Sequence, residues 1–154
     1  LPAYRPRAKV KESQKPKFYW FDPGVLNAAA GAFAQPMPKD WEGVLLEHLV
    51  HHELKSYIDY EHLKGTLGFW KTPNGSEVDF VWWYGEKVVG IEVKSSTKFR
   101  KEQLKGLKSL GENLQLEKSF MVYRGKENLL IDDINILSAE SFFQKLHQGE
   151  ILSF

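Results

Sequence analysis

The sequence predicts an α/β fold in which a mixed β-sheet packs against flanking helices, and three observations carry that expectation. The 154 residues suffice for one core and are too few for two ordinary domains. Apolar residues recur at helical spacing through Val44, Leu45, Leu46, Leu49, Val50, Leu54, Tyr57 and Ile58. Residues 77–84 and 87–94 instead form two short runs rich in valine and aromatics, separated only by Gly85 and Glu86, as in a β-hairpin.

Taken in order, residues 1–17 carry Pro2, Pro6 and Pro16 among Arg5, Arg7, Lys9, Lys11, Lys15 and Lys17, the composition of an extended basic arm or a linker remnant. The domain proper is expected over 18–154. Phe18 to Phe21 reads as a short aromatic strand stopped by Asp22-Pro23-Gly24, and Asn27 to Pro38 as a weak helix or loop. Asp40 can cap a helix that ends before Gly65. Leu67 to Lys71 is a strand, Pro73-Asn74-Gly75 a turn, and the hairpin Glu77 to Tyr84 and Lys87 to Lys94 follows. A helix over Phe99 to Leu114 has a Leu104, Leu107, Leu110 and Leu114 stripe. Strands are expected at Ser119 to Arg124 and Ile134 to Leu137, then a helix over Ala139 to His147 capped by Ser138.

Composition narrows the functions. With 42% hydrophobic, 27% charged and no cysteine, the chain is neither disordered nor a disulfide scaffold and has no thiolate metal site. Lys and Arg number 21 against 20 Asp and Glu, so any phosphate binding must be local rather than due to a global positive field. No apolar run has signal-peptide or membrane-span length, which makes the cytoplasm the expected compartment and a membrane an unexpected partner. No G-x-x-x-x-G-K-[ST] loop and no G-x-S-x-G elbow occurs. His48 and His52 stand one helical turn apart, but Leu49 replaces the Glu of a zinc-protease H-E-x-x-H, so a polar helix face is expected there.

The hairpin places the candidate chemistry. With Gly85 and Glu86 as the loop, Tyr84 faces Lys87, and counting inward Asp79 faces Glu92 and Glu77 faces Lys94. Val78, Phe80 and Trp82 then share a core face with Val89, Ile91 and Val93. Opposed carboxylates repel, and a divalent cation between them, or the Lys94 ammonium, would offset that cost; oxygen ligands suit Mg²⁺ or Mn²⁺. An ordinary polar face with cross-strand ion pairs is the other explanation, and a one-residue bulge would break the register. Glu47 lies on the helical side that carries Val44, Val50, Leu54 and Ile58, where an acid is costly unless paired, protonated or ligating; a boundary Glu beside His51 is the alternative. Lys98, Arg100, Lys101, Lys105 and Lys108 follow the hairpin and read equally as a phosphate-backbone contact or a solvated helix face. Trp70, Trp83 and Tyr84 are candidates for stacking on bases, or for the core.

Glu47, Asp79 and the Glu92-Val93-Lys94 tripeptide, in that order on a helix and two hairpin strands with a helix after them, resemble the PD-(D/E)XK nuclease superfamily. The wording of Phe18-Tyr19-Trp20-Phe21-Asp22-Pro23-Gly24, Gly43 to Leu49, Gly75 to Val81 and Ile91 to Ser96 is similar to the domain of unknown function 4143, usually the C-terminal part of AAA-type ATPases. The resemblance runs from about Lys15 to Leu146. It implies a restriction-endonuclease-like three-layer sandwich, with the mixed sheet at its centre and helices on both sides. It implies metal binding by Asp79 and Glu92, with the Val93 carbonyl as a further ligand and Glu47 acting directly or through water. Lys94 would stabilise charge on the scissile phosphate or orient the attacking water, and Gln103 stands where some members place a helix Gln. Val78 replaces the proline of the superfamily motif.

The expected function is a Mg²⁺- or Mn²⁺-dependent nuclease-like domain that hydrolyses DNA phosphodiester bonds, with Glu47, Asp79, Glu92 and Lys94 catalytic and Lys98, Arg100, Lys101, Gln103 and Lys105 against nucleic acid. The alternative is a non-catalytic nucleic-acid- or protein-binding regulatory module. Because the chain begins at Leu1 and lacks a phosphate loop, it is expected to be the tail of a longer chain whose ATPase module is its partner.

Overall fold

The computed structural model describes residues 1–5, 15–20, 24, 25, 28 and 41–153. The expected helix or loop at 27–38, the Asp40 cap and the Asp22-Pro23 turn lie outside these, apart from Ala28. The elements are α1 (Trp41–Tyr60), β1 (Thr66–Lys71), β2 (Glu77–Tyr84), β3 (Lys87–Lys94), a 3₁₀ turn (Lys101–Leu104), α2 (Lys105–Asn113), β4 (Lys118–Tyr123), β5 (Leu129–Ile131), β6 (Ile134–Ser138) and α3 (Ala139–His147).

The strands form one six-stranded sheet in the order β1-β2-β3-β4-β6-β5. β1, β2 and β3 are an antiparallel meander, β4 and β6 run parallel to β3, and β5 returns antiparallel to β6. A parallel partner for β3 requires a crossover, which α2 supplies. Helices therefore cover both faces: Val50, Leu54 and Ile58 of α1 and Phe142 and Leu146 of α3 pack with Phe80, Trp82, Ile91 and Val93, while Leu104, Leu107 and Leu110 pack with Val78, Val81, Val88 and Met121. This is the expected three-layer arrangement of a mixed sheet between helices. The central strand β3 is buried along nearly its whole length, which explains its near-continuous Val/Ile run.

Local chemistry sets the turns. Gly85 adopts φ 61° at the first position of the β2–β3 loop, as a type II′ hairpin requires. Asp132 (φ 50°) and Asp133 (φ 60°) are both left-handed and make a two-residue loop between β5 and β6, a strand pair the apolar pattern of Leu129 to Ile131 had not revealed. Ser138 caps α3 by accepting from the Ser141 N–H at 3.1 Å. Phe99 precedes the helical segment, which opens as a 3₁₀ turn where Gln103 folds back onto the Arg100 N–H.

One expectation fails. Phe18 to Trp20 is not a strand; Tyr19 instead lies over α1, its ring 4.3 Å from His51. The sheet edge is lengthened by residues 1–5: Ala3 bridges Phe69 in parallel, the Phe69 N–H donates to the Pro2 carbonyl at 3.0 Å, and Tyr4 packs on Trp83 at 4.6 Å. The N-terminal segment thus covers an edge that would otherwise present free backbone groups.

Candidate functional site

The β2–β3 register runs as expected from Tyr84↔Lys87 to Phe80↔Ile91. Beyond it the strands part. On the other side of β2, Gly68 pairs with Val81 and Trp70 with Val78, leaving Phe69 alone opposite both Asp79 and Phe80. That is a β-bulge, and it switches the faces of everything before it. Val78 consequently sits with Val81 under α2 rather than with Phe80, correcting the expected core face. The expected pairing of Glu77 with Lys94 does not form for the same reason: Glu77 bonds Lys71 across β1 at 2.8 Å and Lys17, while Lys94 bonds Glu92 on its own strand.

Asp79 is re-aimed by the bulge into the opening between the strands. Its Oδ2 accepts the Val93 N–H at 2.9 Å, and its side chain is 14% exposed. Glu47 projects from α1 toward the same place, where the Tyr19 hydroxyl donates to it at 2.5 Å. The Lys17 Nζ lies among Glu77, Asp79 at 3.5 Å and Glu47 at 3.6 Å, and 5.3 Å from the centre of the Phe69 ring. Glu92 is 7% exposed; one oxygen bonds Lys94 and the buried Oε2 has no hydrogen-bond partner among the described residues.

The electrostatics follow from burial. Desolvation, then repulsion from Glu47, pushes the Asp79 carboxyl above its usual range despite the Val93 N–H and Lys17. Desolvation and the neighbouring Asp79 push Glu92 up to about 8, against the pull of Lys94. Burial opposes the charge on Lys17, but the bond to Glu77 and the fields of Asp79 and Glu47 outweigh it and raise its pKa. Burial likewise opposes ionisation of Glu77, and the bonds from Lys17 and Lys71 overcome it and hold that carboxyl low. Burial pushes His51 down to about 4, so it is neutral beneath Tyr19.

Other candidates are dispersed. Lys98, Arg100, Lys101 and Lys105 are exposed, whereas Lys108 binds Asp132 at 2.5 Å. Gln103 is half-buried: its Nε2 donates to Ser96 and its Oε1 accepts the Arg100 N–H, both at 2.8 Å, so its amide serves the turn. One cleft is nevertheless lined jointly by Glu77, Glu92, Lys94, Gln103 and Lys105. Gly106 makes this closeness possible, because a Cβ there would stand 2.1 Å from the Glu77 carbonyl oxygen. Trp70 is in the core, Trp83 is half-covered by Tyr4, and Tyr84 is 51% exposed. His48 is buried, with Nδ1 2.8 Å from the Val44 carbonyl, instead of lying on a polar face.

Sequence reasoning missed Lys17, Tyr19 and Glu77 as members of the cluster. The available signal was Lys17 and Tyr19 two apart beside an aromatic run. The donor set is all hard oxygen and includes the orphaned Glu92 Oε2, which fits Mg²⁺ or Mn²⁺ in kind. As arranged, though, the carboxylates gather on the two lysines, and among the described residues no group of three or more Asp, Glu or His side chains is placed to hold a metal ion. No helix among the described residues is long and apolar enough to cross a membrane.

Among solved structures, the chain is similar to the small subunit (R.BspD6I2) of the heterodimeric restriction endonuclease R.BspD6I, at 13% identity over 74% of this chain and 80% of that one, with a TM-score of 0.35. No curated protein matches it. The family model for the domain of unknown function DUF4143 matches residues 42–142, about two thirds of the sequence, and the chain therefore belongs to that family.

Proposed function

We propose that the chain is a metal-dependent phosphodiesterase domain of the PD-(D/E)XK type, acting on DNA. The observation that carries this reading is the parting of β2 from β3 at Asp79, which brings Asp79, the Val93 backbone, Glu92 and Lys94 to one opening with Glu92 Oε2 left unpartnered. Asp79 and Glu92 would hold Mg²⁺ or Mn²⁺, with the Val93 carbonyl and Glu47 as further ligands. Such an ion supplies a more acidic water and neutralises charge on phosphoryl oxygens.

The chain's own residues account for the remainder. Lys94, hydrogen-bonded to Glu92 and 34% exposed, can meet a phosphate at the cleft without losing its anchor. Lys105 lines the same cleft, and Lys98, Arg100 and Lys101 extend positive charge beyond it for a nucleic-acid backbone, with Gln103 holding the turn that presents them. Cleavage of single- and double-stranded DNA in Mg²⁺ or Mn²⁺, compared with Asp79→Asn and Lys94→Ala, tests the reading. Cleavage undiminished in both variants refutes it.

A second reading has its own observation. Every acid of the cluster is engaged by a lysine, which suits a non-catalytic module that uses the fold to contact nucleic acid or a protein, the ATPase part of a longer parent chain being the expected partner. DNA binding without metal-dependent cleavage, retained in Asp79→Asn, would favour it. The cytoplasm is the compartment proposed under both readings.

A further inference from the structure

The acid cluster is built around a cation that belongs to the protein. Lys17 comes from outside the helix and hairpin that carry the acids, yet its Nζ meets Glu47, Glu77 and Asp79, three carboxylates from two different elements. Its charge is further supported by the Phe69 ring, the residue opposite the bulge that aims Asp79. The segment around it is anchored twice. The Lys17 N–H donates to the Leu1 carbonyl at 3.1 Å, and the residues after Leu1 pair with β1 through Pro2 and Tyr4. Two residues on, Tyr19 bonds Glu47, so the segment touches this acid with both an ammonium and a hydroxyl.

Three carboxylates set against Lys17, with Lys71 engaging Glu77 as well, keep an excess of negative charge, and a divalent ion at Asp79 and Glu47 would offset it better than a monovalent one. Both draw on Asp79 and Glu47, so an ion ligated by these two carboxylates competes with the Lys17 ammonium for their charge. We propose that Lys17 is an exchangeable counter-cation of this site, so that docking of the N-terminal segment and loading of a divalent cation oppose one another. The segment is then a built-in control on metal loading. The inference rests on the metal-dependent reading above, and it adds Glu77 to the groups released when Lys17 leaves.

Linkage makes the opposition reciprocal: removing Lys17 must tighten the metal, and the metal must weaken the hold on Lys17. Mn²⁺ binding by calorimetry to the whole 154-residue chain, in wild type and Lys17→Met, should show the variant binding about tenfold tighter or more, with Asp79→Asn abolishing the signal in both. Limited trypsin digestion of the wild type supplies a readout that no variant's folding can spoil. Saturating Mn²⁺ should accelerate cleavage after Lys17, because the residue leaves its carboxylates.

Binding that depends on Asp79 but is equally tight with and without Lys17, or an unchanged tryptic rate at Lys17 under saturating Mn²⁺, overturns the exchange and leaves the metal-dependent reading standing. Absence of Mn²⁺ binding in both proteins overturns the two together. Mn²⁺ binding that survives Asp79→Asn places the ion elsewhere and also overturns the exchange.

Discussion

Glu92→Gln should abolish a pH dependence of stability that originates in one buried carboxyl. Glu92 is 7% exposed and carries an unpartnered oxygen, and burial with Asp79 nearby moves its pKa from 4.5 to about 8. The folded state therefore holds a proton that the unfolded state has already released between those values. Stability is unaffected by this group below pH 4.5, falls as pH rises through the interval, and levels off above pH 8. At about 1.4 kcal/mol for each pH unit, the interval sets a ceiling of about 5 kcal/mol. Relaxation and water entering the open end of the strands reduce it, and about 2 kcal/mol is the difference to expect. The assay is urea unfolding across this pH range with chelator present. Glu92→Gln should match the wild type in acid and exceed it by that amount in base. A variant as pH-dependent as the wild type, or less stable than it above pH 8, would refute the reasoning, because Glu92 would then be a net stabilising partner of Lys94.

Gly106→Ala should cost about 1–3 kcal/mol in chemical unfolding, since its Cβ would strike the Glu77 carbonyl oxygen 2.1 Å away and push α2 from the sheet. A neutral effect would show that the contact yields. Leu54→Ala, at a fully buried position between α1 and the sheet, should cost about 2–5 kcal/mol by the same assay, with far-UV helicity retained in the folded variant. The double change Lys101→Glu and Lys105→Glu should weaken DNA binding and flatten its salt dependence by about two in logarithmic slope, leaving the melting temperature unchanged, as both side chains are exposed. An unaltered slope would remove these lysines from the interface.

What was legible in the sequence was whatever neighbouring residues decide among themselves. The bounds of β2, β3 and α3 follow from alternation, a Gly-X loop and a serine cap, all local in the chain. The helix carrying Glu47 follows from its apolar period, and Asp79, Glu92 and Lys94 were found through their order along these elements. The β5–β6 hairpin was missed because its turn uses two aspartates in the left-handed region, a conformation more often signalled by Asn-Gly or Asp-Gly. His48 was assigned to a polar face because Leu49 stands where a metal-binding pair would need Glu; its burial comes with Tyr19, whose ring lies 5.1 Å away.

By itself, then, the sequence determined most of the elements and the β2–β3 register as far as Phe80↔Ile91, and it offered Glu47, Asp79, Glu92 and Lys94 as candidates. Tertiary structure alone decided how those groups meet. The bulge at Asp79 and Phe80 belongs to the way β2 meets β1, where Phe69 alone stands opposite both residues, and no pattern within either strand specifies that match. The presence of Lys17 among the carboxylates has the same origin. A lysine far from them in sequence is placed there by edge pairing to β1 and by the charge it finds on arrival, and neither is written in the residues next to it.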